Sequence, residues 1–173
     1  MDYFELFNIP LSLFVDASSI KKRFYELSRK YHPDFFSNTS EEEQSEALEM
    51  SAMLNKALKV FSNPEETIKY VLQLKGLLEE DEKYQLPNDF LMDVMDINEQ
   101  LMDAKMDGDE EQLQASKQQI ANLQKEIYEP VKNIVENYQE GITSEKELLQ
   151  VKKYYFQKKY LDRMLSGDVF LKY

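Results

Sequence analysis

Apolar residues recur along this chain at the spacing of an α-helix, and this spacing constrains the fold more than any other feature of the sequence. One example is a set of apolar residues at positions i, i+4, i+7 and i+11, which share one side of a helix: Ile20, Phe24, Leu27 and Tyr31. No segment alternates apolar and polar residues as a strand does, and none carries an Asn-Gly hairpin signal. The four glycines are isolated and fall between the periodic segments. The sequence therefore predicts an all-α fold.

Residues 1–76 are predicted to form one domain of four helices. Each of the last three has a recognisable start. Asp16 is a candidate N-cap for a helix at 17–31. Ser40 begins a capping box with Glu43, and Asn63 precedes a proline at a first helical position.

Residues 88–173 are predicted to form a second domain, an antiparallel three-helix bundle, because their long periodic segments have short connections. Residues 77–87 are acidic, end in proline and are predicted to be a linker. The middle helix of the bundle is expected over 109–138. Its apolar period continues through Pro130, so a kink is expected there rather than a break.

Composition excludes several classes of protein. The chain has 33 Asp and Glu against 21 Lys and Arg, a net charge of -12, which argues against a nucleic-acid partner and against anionic membranes. No apolar run approaches the ~20 residues needed to span a bilayer. The chain has no cysteine, and its N-terminus has no signal-peptide pattern. A soluble, cytoplasmic protein is expected.

The only histidine, His32, is followed by Pro33 and Asp34. Asp34 lies beyond the proline, where it cannot easily orient the imidazole as a catalytic triad requires. A catalytic zinc site needs three protein ligands, usually His or Cys, and a phosphate loop needs clustered glycines. We therefore predict no enzymatic activity, no catalytic residue, no metal site and no cofactor. A plain loop that ends a helix is the simpler alternative for His-Pro-Asp.

The helix at 17–31 carries five basic residues and one acid, within a strongly acidic chain. Lys22, Tyr25 and Arg29 fall opposite its apolar stripe, and further basic residues flank them. A solvated face is the ordinary interpretation of such a pattern. The alternative is a positive surface that steers an acidic partner onto this helix.

The helix predicted from Asn88 has a second apolar face besides its buried stripe. Its members are Leu91, Met92, Met95, Met102 and Met106. An acidic edge lies beside it, formed by Asp96, Glu99 and Asp103. Methionine-rich surfaces adapt to partners, so this face predicts a binding site. The alternative is that both neighbouring helices of the bundle cover it.

In residues 2–76 a basic helix is followed by a His-Pro-Asp loop and then by an antiparallel helix that carries Asn-Lys-Ala at 55–57. This arrangement resembles a J domain. The opening DYFELFNIP, the join NPEETIKYVLQLKG and FLM at 90–92 are similar to the HscB family, J-type co-chaperones devoted to iron–sulfur cluster biogenesis. The resemblance implies a J domain joined to a C-terminal three-helix bundle in an L-shaped molecule. This chain departs from the family pattern at Phe35, where lysine is usual, and at Thr67, where arginine is common.

The resemblance also implies a function. The J domain would dock on an HscA or DnaK-type ATPase chaperone and trigger ATP hydrolysis, and the bundle would deliver IscU, the scaffold on which clusters are assembled. The implied chaperone-binding residues are Lys22, Arg23, Tyr25, Arg29, Lys30, His32, Pro33 and Asp34. The implied scaffold-binding residues are Leu91, Met92, Met95, Asp96, Glu99, Asp103 and Phe156. Two alternatives stay open: a J-domain co-chaperone of a general DnaK chaperone with another client, and a helical adaptor without a chaperone partner.

Overall fold

The structure is a computed structural model that describes residues 1–167. Those residues form helices joined by turns and contain no strand, so the all-α prediction is confirmed. The chain divides into two compact units. The first comprises Met1–Lys75 and Tyr138–Ile142, and the second comprises residues 76–137 and 143–167.

The first unit contains four α-helices and a short 3-10 helix. They are α1 Tyr3–Phe7, α2 Ala17–Lys30, the 3-10 helix Pro33–Phe36, α3 Glu41–Phe61 and α4 Pro64–Leu74. The three predicted N-caps are confirmed. The side chain of Asp16 accepts from the Ser19 N–H, Ser40 forms a reciprocal capping box with Glu43, and Asn63 accepts from the first turn of α4.

An aromatic cluster around Phe61 holds the first unit together. The ring centroids of Phe4 and Phe7 lie 4.9 Å and 5.4 Å from that of Phe61, and Phe7 meets it edge-on. Tyr3 stacks on Tyr70 of α4 at 4.4 Å, and the Tyr70 hydroxyl accepts a hydrogen bond from the Tyr3 N–H. These contacts fix α1 against α3 and α4.

Helix α2 buries a narrow stripe. Ile20 and Leu27 are buried, whereas Phe24 and Tyr31 are half-buried. The predicted stripe is therefore correct in position, but two of its four residues are less buried than predicted. The opposite, basic side of α2 stays in solvent. A helix held by so few residues leaves most of its circumference available to a partner.

Thr67, one of the two departures from the family pattern, is a buried structural residue. It is 1% exposed, and its hydroxyl donates to the carbonyl oxygens of Val60 at 3.0 Å and Asn63 at 3.1 Å. An arginine at this position would have to displace these contacts.

The second unit is a helical bundle. It contains α5 Asn88–Asp107, α6 Glu110–Tyr128, α7 Lys132–Glu136 and α8 Glu145–Ser166. Its core is formed by buried residues of the three long helices: Phe90, Val94, Leu101, Ile120, Leu161 and Met164. Gly108 ends α5 in the left-handed conformation, with φ 67°, which glycine adopts without strain.

The expected kink at Pro130 is wrong, because the helix breaks there. Helix α6 ends at Tyr128, and α7 begins at Lys132. Proline has no N–H to donate, and in a continuous helix its ring would clash with the carbonyl group of Glu126, four residues earlier. The Val131 N–H bonds to the Tyr128 oxygen at 3.0 Å, which closes a turn instead of continuing the helix.

Residues 138–142 belong to the first unit although they follow α7 in the chain. Lys75 forms an ion pair with Glu140, which also accepts a hydrogen bond from the Tyr138 hydroxyl. The Lys75 ammonium and this hydrogen bond lower the pKa of Glu140. The division of the chain drawn from sequence assigned this segment to the second domain.

Among residues 1–167, no helix combines the length and apolarity that crossing a bilayer requires.

The aromatic cluster generates a stability prediction. Phe7→Ala should lower the free energy of unfolding by about 3–5 kcal/mol, because it leaves a cavity beneath Phe61. Phe14, 54% exposed in the same unit, supplies the matched control. Phe14→Ala should cost less than about 1 kcal/mol. Urea denaturation followed by far-UV circular dichroism measures both, and equal losses would contradict the cluster's role.

Candidate functional site

The basic side of α2 is a continuous exposed surface. Lys22, Arg29 and Lys30 are exposed, and Tyr25 between them is 57% exposed. The Tyr25 ring packs edge-on against the Phe24 ring, with the ring centroids 6.0 Å apart, and this contact holds it against the helix. The structure therefore brings four of the predicted chaperone-binding residues together on one side of a single helix.

Arg23 differs from the other basic residues of α2 because it makes contacts within its own unit. Its Nε donates to the Phe7 carbonyl oxygen at 3.1 Å, and its terminal nitrogen donates to Glu26 at 3.0 Å. It therefore ties α2 to the end of α1, and part of its charge is balanced by Glu26. Sequence reasoning assigned Arg23 to the partner surface alone and did not anticipate this structural contact.

The His-Pro-Asp sequence forms an exposed turn directly after α2. Pro33 occupies the first position of the 3-10 helix, where its missing N–H leaves nothing unsatisfied. His32 is the N-cap: its Nδ1 accepts a hydrogen bond from the Asp34 N–H at 3.3 Å. Because Nδ1 is the acceptor, the neutral ring carries its proton on Nε2, which remains available as a donor.

The Asp34 carboxylate is directed into solvent. Its side chain is 87% exposed, and its Oδ2 lies 3.5 Å from Nδ1 of His32, a contact that becomes an ion pair only when the imidazole is protonated. The carboxylate is therefore placed to accept hydrogen bonds from another molecule. Within residues 1–167, no three His, Asp or Glu side chains are placed to hold a metal ion together.

Phe35 adds an apolar surface beside this turn. It is 71% exposed, and its ring meets the His32 ring edge-on at 6.1 Å. Together with Ser28 and Arg29 it lines a shallow depression of about 350 Å³. The position at which the resemblance implies a lysine therefore carries an exposed aromatic ring in this chain.

The second apolar face of α5 is open to solvent. We call its four methionines, Met92, Met95, Met102 and Met106, the methionine face. They are 69%, 62%, 40% and 82% exposed, so the neighbouring helices do not cover them. Leu91, predicted as part of the same face, is half-buried and packs against the core around Phe90.

An acidic edge accompanies the methionine face. Asp96, Glu99 and Asp103 are exposed, and α5 as a whole carries six acidic residues and a single lysine. Oxygen acceptors therefore flank the methionine thioethers along the helix. Such a surface suits a partner that offers apolar side chains together with lysine or arginine.

Phe156, the predicted scaffold-binding residue of α8, is half-buried against residues 77–87. Its ring stacks on that of Tyr84 at 4.5 Å with the planes parallel, and Lys152 holds the same segment through an ion pair with Glu82 at 2.8 Å. A cavity of about 520 Å³ opens beside this stack. The partnership of Tyr84 with Phe156 was not predicted from sequence, although an aromatic residue in the acidic segment and the wide apolar arc around Phe156 were signals of it.

Two family models match this chain, one in each half. The DnaJ domain matches residues 2–70, and the HSCB C-terminal oligomerisation domain matches residues 86–167. A curated relative, the iron–sulfur cluster co-chaperone protein HscB of the mouse (Mus musculus), is 33% identical over 155 residues, which are 89% of this chain. This chain spans 64% of that relative's length.

Solved structures have the same fold over nearly the whole chain. Chaperone HscB from Vibrio cholerae superposes with a TM-score of 0.79 at 24% identity, covering 96% of this chain and 95% of that one. Human co-chaperone protein HscB superposes with a TM-score of 0.77 at 26% identity, covering 99% of this chain and 84% of that one. With a DnaJ domain matched in its first half and an HSCB C-terminal domain matched in its second, this chain belongs to the HscB family of J-domain proteins.

Proposed function

We propose that this protein is a co-chaperone that stimulates the ATPase of an HscA or DnaK-type chaperone and delivers an IscU-like iron–sulfur scaffold to it. The observation that carries the proposal is the exposed His-Pro-Asp turn at the end of a basic helix, in a chain that also matches the HscB C-terminal domain. The protein would have no catalytic residue of its own. The chaperone would hydrolyse the ATP.

Docking would begin with electrostatic attraction to α2. Its five basic residues form a local positive surface on a chain of net charge -12. Such a surface attracts an acidic patch on a partner and orients the encounter. Lys22, Arg29 and Lys30 are best placed for this role because they are exposed, whereas Arg23 is partly engaged within the unit.

The His-Pro-Asp turn would then supply the specific contacts. Pro33 restricts its own backbone and that of His32, so little conformational freedom is lost on docking. The Asp34 carboxylate would accept a charge-assisted hydrogen bond from an arginine of the chaperone. His32 would donate from Nε2 without being ionised. These contacts would favour the hydrolysing state of the chaperone to the extent that they bind that state more tightly than its other states.

Scaffold binding would use α5 and α8. The flexible thioethers of Met92 and Met95 would adapt to apolar side chains of the scaffold. Asp96, Glu99 and Asp103 would pair with its basic residues, and Phe156 would present a ring already stacked on Tyr84. The mouse relative's name, which refers to iron–sulfur clusters, supports this choice of client.

Two other functions make different predictions. A J-domain co-chaperone of a general DnaK chaperone would stimulate ATPase but would not bind an IscU-like scaffold. A helical adaptor would bind partners without stimulating any DnaK-type ATPase. Separate tests of the two surfaces therefore distinguish all three.

The His-Pro-Asp turn can be tested by His32→Gln. Glutamine keeps a polar side chain but cannot reproduce the imidazole cap, and His32 is exposed, so the fold should persist. We expect stimulation of the chaperone's ATPase to fall to its basal rate, measured by steady-state phosphate release. Scaffold binding and the thermal unfolding temperature should match those of the wild type. Full stimulation by the variant would refute the assignment.

The α5 surface can be tested by the double change Leu91→Ala/Met95→Ala. It should abolish measurable scaffold binding in calorimetry, because truncation of a hot-spot side chain near the centre of an interface costs about 2 kcal/mol or more. ATPase stimulation without scaffold should be unchanged.

Leu149→Ala on α8 is the matched control for this test, since Leu149 is 45% exposed and belongs to the same unit. It should leave scaffold binding intact. If scaffold binding survives the α5 double change, or if the control loses it equally, the assigned surface is wrong.

A further inference from the structure

The sulfur atoms of this chain are distributed unevenly. It has no cysteine and eight methionines, so thioethers are its only sulfur groups. Met164 lies in the core and is fully buried, and Met50 and Met53 are half-buried. The four methionines of α5 are exposed, as is Met1. Four of the five exposed methionines therefore lie on one helix.

The spacing of these methionines places them on one face. Met92 and Met95 are three residues apart, Met95 and Met102 seven, and Met102 and Met106 four, all of which are separations that align on a helix. The fold does not need them, since α5 is held through Phe90, Val94 and Leu101 on its other side. A chemical change at the methionine face would therefore alter the surface and spare the core.

We propose that the methionine face is a site of reversible oxidation by two-electron oxidants of the peroxide class. The sulfur lone pair attacks the peroxide, the O–O bond breaks, and one oxygen stays on sulfur as the sulfoxide while the other leaves as water. Each sulfur loses two electrons and the peroxide gains them. A methionine sulfoxide reductase reverses the change, its dithiol becoming a disulfide as the oxygen leaves as water.

The oxidised face is chemically unlike the reduced one. A thioether is apolar and deformable, whereas a sulfoxide is polar and only accepts hydrogen bonds. The neighbouring carboxylates of Asp96, Glu99 and Asp103 are acceptors as well. A partner that covers this face with apolar side chains would remove water from the sulfoxide oxygens, while its lysines and arginines would already be paired with the carboxylates. The buried sulfoxides would then lack hydrogen-bond donors, which is unfavourable. This consequence rests on the proposed function: oxidation would switch off docking of the IscU-like scaffold.

Peptide mapping tests the site itself, without any partner. The whole protein is treated with limiting hydrogen peroxide, digested and analysed by mass spectrometry. Met92, Met95, Met102 and Met106 should oxidise while Met164 stays reduced and the circular dichroism spectrum is unchanged. Oxidised protein should also elute earlier in hydrophobic interaction chromatography. Equal oxidation of Met164 in folded protein, or no change in elution, would overturn the proposal.

Scaffold titration tests the consequence. Peroxide treatment should weaken binding at least about tenfold, an effect of about 1.4 kcal/mol. Incubation with methionine sulfoxide reductase and dithiothreitol should restore it. If the untreated protein does not bind the scaffold, the proposed function fails, while the mapping and elution results still decide the oxidation site.

A leucine variant separates oxidation of this face from other damage. Met92→Leu, Met95→Leu, Met102→Leu and Met106→Leu together conserve volume and apolarity but remove the oxidisable sulfur. This variant keeps Met1, Met50 and Met53 as oxidisable controls. Its own scaffold affinity before treatment is the reference, and peroxide should leave that affinity unchanged. A tenfold loss on treating this variant, or undiminished binding by oxidised wild type, would refute the switch.

Discussion

Each proposed binding surface of this protein depends on the same constraint: an amphipathic helix buries one apolar stripe, and whatever lies opposite remains in solvent. Helix α2 buries Ile20 and Leu27, and its opposite side is basic. Helix α5 buries Phe90, Val94, Leu101 and Ala104, and its opposite side carries methionines and carboxylates. Packing therefore stabilises each helix mainly through residues that are separate from those proposed to bind partners, although Leu91 also packs against the core and Arg23 also contacts α1. Substitutions of the fully exposed residues on either surface should therefore leave the chain folded.

The two surfaces differ in the chemistry of the partner they suit. The basic side of α2 and its rigid turn are small, polar and suited to an acidic partner with an arginine for Asp34. The face on α5 is apolar and acidic, suited to a partner that offers hydrophobic and basic side chains. Because the surfaces belong to different compact units of one chain, a single molecule would engage a chaperone and a client through independent contacts. The methionines that give the second surface its adaptability also make it sensitive to oxidants.

Local sequence patterns predicted the helices and their starts, because caps such as Asp16 and Ser40 depend on residues three positions away. They also predicted the exposed methionine side of α5, since a helix that packs through one buried apolar stripe does not need a second apolar face. Contacts between distant segments were not predictable in this way. Arg23 reaches the carbonyl of Phe7, and Phe156 stacks on Tyr84, through tertiary packing that no local pattern encodes. At Pro130 the apolar periodicity continues although the helical hydrogen bonding is interrupted. Periodicity alone therefore predicted a kink where the helix breaks. The partner-binding roles of the named residues stay predictions.

The central claim is that one chain couples the two partners, and ATP hydrolysis by the chaperone in the presence of scaffold tests it most directly. The wild type is compared with an equimolar mixture of His32→Gln and Leu91→Ala/Met95→Ala at the same total concentration. In the mixture, each surface is intact but never on the same molecule. We expect the scaffold to increase hydrolysis with the wild type and to add nothing with the mixture. A mixture that responds to scaffold as the wild type does would contradict the account.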